Sequence, residues 1–491
     1  MIFRLKTIFY AKILERTSQN CLLQISGSQI QESLHAMINT AVKPLPGPKS
    51  FLGLKNLRDL SQDGMLKYVS ECWQEYGDIF EIQVGPKKLV MVINPEHVRH
   101  VTLTNSDNYE KLESYDGVRK YVIGDGLVTS TGELWKRQRR IMAPFYTPRG
   151  VQDFADIFLR DTVSVVERWE TLVKSNPQIE MFDEMAIVTA SIVLKAIFST
   201  ESVDNILEIK EHVETMIGFA SSNRMNPFKL PDWVPTEENL AYKKAHDVVH
   251  SYINDVIDTR LAMDEADYPN DLLSKLIMAE DPETGERMSR DLLRDEALTN
   301  FFAGYETSAR SMSHAWYALA KNPDVKAKLH EELDRELGDE IPTLETLKRL
   351  PYTLRIIKET LRLYPPAPQY AKDVIDDDII DGYHIEKGSV ILLLPYFTHR
   401  HPDFWENPDV FEPERHAPDA EKARHSQAYH PFASGQRICL GNHFSLLETH
   451  IMLAILAQRF DPQFVPGYDA DFKITGLLEI DNGLPMILEK R

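Results

Sequence analysis

The segment Phe432-Ala433-Ser434-Gly435-Gln436-Arg437-Ile438-Cys439-Leu440-Gly441 constrains this chain more than any other stretch. An aromatic residue, two glycines, an arginine and a cysteine stand at fixed offsets, and an apolar, helix-like run follows. Glycines on both sides of the thiol let the backbone turn tightly and approach a flat partner closely. Backbone N–H groups around such a turn can point at one thiolate and lower its pKa. Arg437, two residues before the thiol, can reach an anion carried by the thiolate's partner. A lone cysteine in a turn is more often an inert, packed thiol. The fixed spacing weighs against that reading. A haem meets each requirement, with a flat face, an iron that takes an axial thiolate, and propionates for an arginine.

The rest of the composition narrows the class. Net charge is −20, which argues against nucleic-acid binding. The only cysteines are Cys21, Cys72 and Cys439, so no disulfide framework is implied. A reducing compartment suits a thiol that must stay free. No apolar stretch reaches the roughly 18 residues needed to span a bilayer, so a soluble, cytoplasmic protein is expected. Residues 1–43 mix apolar and basic side chains, with Arg4, Lys6, Lys12, Arg16 and Lys43 against Glu15 and Glu32. They read as a poorly ordered extension, with weak membrane contact or a transit peptide as alternatives. Pro44-Leu45-Pro46-Gly47-Pro48 forms a stiff hinge. Residues 44–491 are taken as one domain.

Strand patterning is expected at Ile79–Val84 and Lys88–Ile93, at Ile380–Ile385 and at Ser389–Leu394. A last hairpin is expected over 472–488, turning near Asp481-Asn482-Gly483. Beyond about residue 130 the chain reads as mostly helical. Ser289 is a candidate N-cap for a helix running to Ala320, and Pro351 opens another that Pro365-Pro366 closes. The long helix carries Ala303-Gly304-Tyr305-Glu306-Thr307 at its middle. Glycine there costs about 1 kcal/mol relative to alanine, which a ligand approaching the backbone would offset. Thr307 can bond back to a carbonyl one turn earlier.

These elements together resemble the cytochrome P-450 superfamily. The Phe-x-x-Gly-x-Arg-x-Cys-x-Gly pattern resembles its haem-ligand loop, and Ala303–Thr307 resembles its oxygen-activation helix. Glu359-x-x-Arg362 and Arg415, in Phe411-Glu412-Pro413-Glu414-Arg415-His416, match its structural ion triad, with His416 where an aromatic is usual. Trp135 and Arg139 match its Trp-x-x-x-Arg element, and Lys372 stands where relatives commonly have arginine. The resemblance implies a mainly α fold with small β-sheets, arranged as a triangular helical prism. It implies haem b with Cys439 as the iron ligand, Phe432 and Gly435 in the ligand loop, and Arg437, Trp135, Arg139 and Lys372 on the propionate side. It assigns Thr307 to support of bound dioxygen and Glu306 to proton delivery.

The implied activity is monooxygenation of a hydrophobic small molecule such as a fatty acid, terpenoid or polyketide. Electrons are expected from a separate ferredoxin, flavodoxin or reductase, with O2 as co-substrate. Exposed Lys136, Arg137, Lys422 and Arg424 suggest an acidic donor. Apolar candidates for the pocket are Tyr115, Val118, Tyr121, Phe301, Phe302, Tyr305, Ala367–Tyr370 and Gly476–Leu478, with residues 225–236 as an entrance loop. A peroxide-consuming isomerase or dehydratase and a haem sensor are the alternatives. The intact Glu306-Thr307 pair counts against both.

Overall fold

The computed structural model describes residues 42–200, 203–225 and 230–491. The basic extension, apart from Val42 and Lys43, and Pro227 and Phe228 of the expected entrance loop lie outside the described residues. The chain is mainly helical with small sheets, as expected. Six helices matter most for the site: α1 (Gly132–Met142), α2 (Ala155–Ser175), α3 (Met181–Phe198), α4 (Arg290–Lys321), α5 (Pro351–Leu363) and α6 (Asn442–Arg459). Among the described residues, no helix is long and apolar enough to cross a membrane.

Helix α4 starts where its sequence says it should. The Ser289 hydroxyl accepts from Leu292 N–H at 3.3 Å, satisfying one of the donors that a helix start leaves open. Its 32 residues span about 48 Å at 1.5 Å per residue. Much of it is buried, and large aromatics fix its C-terminal half. Trp316 packs on Trp169 of α2 at 6.2 Å between ring centroids, and Trp169 meets Phe460 edge-on at 5.3 Å. Gly304 lies against α3, where a Cβ would sit 3.1 Å from Val193 Cγ2. A Cβ at this position would press on the Val193 side chain, so close helix packing favours the glycine.

The main sheet holds β1 (Ile79–Val84), β2 (Lys87–Val92), β3 (Tyr109–Glu110), β4 (Tyr370–Val374) and β5 (Val390–Leu393), in the order β1-β2-β5-β4-β3. Only β2 with β5 is parallel. The β3–β4 register sets Glu110 opposite Asp373 and thereby Lys111 near Lys372. A separate small unit contains, among its described residues, Val42–Pro44 and Asp378–Ile385. There Asp378–Ile380 pairs with Tyr383–Ile385, and Lys43 N–H donates to Gly382 O at 2.8 Å.

The last hairpin differs from expectation. Phe472–Ile474 pairs with Leu478–Ile480, so the turn falls at 475–477. Asp481-Asn482-Gly483 instead directs the chain to Pro485–Ile487, which pairs with Gln178–Glu180 and Gln463–Phe464. A strong turn signal shows where the chain bends, and the partner strand is chosen by burial elsewhere.

Helix α5 presents Glu359 and Arg362 on one face, both without solvent exposure. Arg362 Nε and Nη2 each donate to Glu359 at 2.8 Å. Its remaining donors reach the carbonyls of His399, Pro408 and Val410 at 2.6–2.9 Å. Burial acts to raise the Glu359 pKa, but Arg362 and His416 outweigh it and hold the carboxyl below its ordinary range. His416 replaces the usual aromatic without loss. It is buried, packs at a tilt against the Tyr429 ring with centroids 5.0 Å apart, and places Nε2 3.1 Å from Glu359 Oε2. Arg415 stands farther off, at 3.6 Å from Glu359 Oε1, so the triad is a four-member network. Removing one partner would leave a buried charge uncompensated, which costs about 3–5 kcal/mol. Glu359→Ala should lower the free energy of unfolding by that amount, read as a lower denaturant midpoint at unchanged slope, and a midpoint equal to wild type would contradict the network's structural role.

Candidate haem site

Cys439 lies three residues before α6, so its sulfur stands near the positive end of that helix. Cys439 N–H donates to Phe432 O at 2.8 Å and Ile438 N–H to Gly435 O at 3.1 Å, closing the loop on itself. Gly435 has a φ of +72°, and a Cβ there would sit 2.0 Å from Thr102 O. Glycine is required at this point by the neighbouring backbone. The Cys439 side chain has accessible surface, yet desolvation by the surrounding protein pushes its thiol pKa up, opposed by Gly441 N–H, Arg139 and Lys111. Both facts hold for a thiol that lines an enclosed space. A metal at the sulfur would deprotonate it outright.

Basic side chains gather around this loop. Arg437 lies over the Trp135 ring at 3.9 Å and donates to Ser130 O at 3.0 Å and Glu110 Oε1 at 2.6 Å. Arg139 donates to Ile438 O at 2.9 Å. Trp135 and Arg139 therefore brace the ligand loop from α1. Lys372 is buried and donates to Tyr109 O at 3.2 Å, and burial pushes its pKa down to about 8. Lys111 donates to Val128 O at 3.1 Å and lies 4.5 Å over the Tyr115 ring. Burial, then repulsion from Arg437 and Lys372, pushes its pKa down to about 7.

Sequence reasoning missed Lys111. Its only signal is a strand register that is not visible before β3 and β4 are paired. Lys111, Lys372 and Arg437 share Glu110 as the carboxylate that acts on all three. Two carboxylates from a bound molecule would balance this excess. A haem's propionates fit it, as the accessible thiol fits the iron.

On α4, Thr307 Oγ1 donates back to Ala303 O at 2.7 Å, as the sequence suggests. Ala303 is exposed, and Phe302, Glu306 and Thr307 are partly so, within a helix whose flanking turns are largely buried. These positions form one stripe at helical spacing. Phe301 and Tyr305 do not belong to it. They are buried and stacked on each other at 5.0 Å, and Tyr305 O accepts from Thr189 Oγ1 at 2.9 Å. Glu306 Oε1 accepts from Arg310 Nη2 at 2.6 Å and Nε at 3.1 Å. One residue beyond Thr307, Ser308 Oγ donates at 2.6 Å to Glu448 of α6, whose carboxyl burial pushes up to about 8. This bond ties α4 to the helix that follows the cysteine.

The surface cations are less free than their sequence suggests. Lys136 pairs with Glu133 and Arg137 with Glu286, each at 2.7 Å. Arg424 stacks on Trp405 at 4.3 Å and bonds Arg415 O. Of the four, only Lys422 is exposed with no acid against it in the described contacts. The case for an acidic donor loses most of its basis.

The family model for Cytochrome P450 matches residues 44–480. The chain belongs to the cytochrome P450 family. Cyclooctatin synthase of Streptomyces melanosporofaciens is 31% identical over 393 residues, covering 80% of this chain and 84% of that protein. The bifunctional cytochrome P450/NADPH–P450 reductase of Bacillus cereus is 31% identical over 450 residues, which is 88% of this chain but 41% of that protein. The crystal structure of the cytochrome P450DA heme domain superposes with a TM-score of 0.84 at 26% identity, covering 92% of this chain and 98% of that one. This P450 is thus an oxidoreductase of the monooxygenase kind.

If Lys111 supplies charge to a propionate, Lys111→Met should release haem about tenfold faster. That is the loss expected for one charge-assisted hydrogen bond. Transfer to an apoglobin acceptor measures it, and an unchanged rate would remove Lys111 from the site.

Proposed function

We propose that this P450 binds haem b through the Cys439 thiolate and inserts one oxygen atom from O2 into a hydrophobic small molecule, with electrons from a separate protein. The observation that carries the reading is an accessible thiol in a hydrogen-bonded loop, beside a cation excess that two propionates would balance. Bound haem supplies the iron at which dioxygen is reduced and one oxygen atom is transferred, and a thiolate ligand favours O–O cleavage.

The chain's own residues do the rest. Gly441 N–H, Arg139 and Lys111 lower the cost of charge on the sulfur. Arg437, Lys372 and Lys111 would hold the propionate side, and Trp135 backs Arg437. Thr307 would offer its hydroxyl as donor beside the oxygen-binding face, and Glu306 would resupply that hydroxyl's proton. Phe302 and Ala303 give the substrate an apolar wall. Two Streptomyces relatives are named cyclooctatin synthase and cyclooctat-9-en-7-ol 5-monooxygenase. The second name supports a cyclic, largely hydrocarbon substrate for this chain. The Bacillus relative carries its reductase in the same chain. Here a ferredoxin, flavodoxin or free reductase fills that role, in a reducing compartment such as the cytoplasm.

Thr307→Ala should keep haem but divert electrons to hydrogen peroxide. Product per electron should fall about tenfold or more, the scale of a lost proton-transfer group. Turnover driven by peroxide alone should persist. If product per electron is unchanged, or wild type turns over only with peroxide and never with an electron donor, the monooxygenase reading fails.

A further inference from the structure

Resting on that reading, we propose that Arg310 and Glu479 are positioning residues that set when Glu306 is free to deliver a proton. Arg310 lies one turn after Glu306 on α4, and both of its bonds to Glu306 fall on the same oxygen, Oε1. The same Nη2 also lies 3.3 Å from Glu479 Oε1. One guanidinium therefore stands between two carboxylates, and the three side chains are only 12–24% exposed. The Phe182 ring of α3 backs the guanidinium at 4.7 Å, which leaves it within reach of both acids.

Glu479 is not on a helix. It belongs to the hairpin of Phe472–Ile474 and Leu478–Ile480. Thr475 Oγ1 donates to the same Glu479 oxygen that Arg310 approaches. Leu478 N–H donates to Pro366 O at 2.9 Å, which joins the hairpin to the segment leading into β4. Gly476–Leu478 and Ala367–Tyr370 are the stretches assigned to the substrate wall. A substrate pressing on the hairpin moves Glu479, and Glu479 moves Arg310.

The chemistry follows from the geometry. With Arg310 on Glu306, that carboxylate is ion-paired and cannot turn toward Thr307. With Arg310 drawn to Glu479, Glu306 would be free to take a proton from solvent and hand it to Thr307 Oγ1 as that hydroxyl gives up its own. The hydroxyl is restored, and Glu306 returns to its ion pair. A tie to the substrate hairpin releases protons when substrate is present and withholds them otherwise.

The test uses the full haem-loaded chain with its electron donor. Glu479→Gln removes the competing charge, so Arg310 stays on Glu306. Product per electron should fall about two- to fivefold, the span of a partly exposed ion pair. The solvent deuterium isotope effect on product formation should rise. Arg310→Lys, which keeps the charge, should retain most of the coupling, whereas Arg310→Gln should consume electrons without substrate about as fast as with it. Independently of turnover, amide exchange at 472–480 should quicken in Glu479→Gln and in Arg310→Gln, and no further in the double variant. Normal coupling and isotope effect in Glu479→Gln, with Thr307→Ala uncoupled, would overturn this inference alone. Normal coupling in both would overturn the underlying reading of the acid–hydroxyl pair. Additive exchange effects in the double variant would show that the two side chains do not act on each other, and would also overturn it.

Discussion

Arg362 holds a full positive charge away from water, and the stretch that leads to the cysteine loop is organised around that charge. A buried ion is tolerable only when every donor is satisfied. Glu359 takes two of the bonds, and the carbonyls of His399, Pro408 and Val410 take the others. Those carbonyls belong to a segment with little regular structure, which could not otherwise fix its own path. His399 then carries the order onward. Its Nδ1 meets Arg362 O at 3.1 Å and its Nε2 accepts from His430 N–H at 2.9 Å. His430 stands two residues before Phe432, whose carbonyl holds Cys439. Single hydrogen bonds joined by short stretches of backbone thus run from the Arg362 main chain to the main chain of Cys439.

The second constraint is an imbalance. Lys111, Lys372 and Arg437 crowd around Glu110, and burial depresses both lysines. A protein meant to be complete without a ligand would have little reason to gather them. With a dianionic haem edge in place the same cations become an asset, because opposite charge at low dielectric offsets their desolvation. The sulfur shows the same logic. Burial raises the pKa of Cys439, and Gly441 N–H, Arg139 and Lys111 oppose it by favouring the thiolate.

Much of this was legible in the sequence because the informative residues are local. The cysteine loop, the Glu-x-x-Arg turn and Ala303–Thr307 each fit within ten residues, and each occupies the element expected of it. Long-range pairing hid the rest. Lys111 depends on the β3–β4 register. His416 supports Glu359 only once residues 411–416 fold back on α5. Phe301 and Tyr305 look like pocket residues in an apolar run, but both are buried and stack on each other. Gly435 suggests an opening for a ligand, whereas its positive φ and the Thr102 carbonyl already require it, and at Gly304 the Val193 side chain favours it. The basic surface residues were counted without the acids that tertiary structure brings to Arg137 and the ring that covers Arg424.

The central claim is that Cys439 gives its thiolate to haem iron, and the ferrous carbonyl spectrum tests it most directly. The wild-type protein, reduced under carbon monoxide, should show the strongly red-shifted Soret band of a thiolate-ligated haem. Cys439→Ser, which retains the loop and the cation cluster, should bind haem without that band. The red-shifted band surviving in Cys439→Ser would contradict the account.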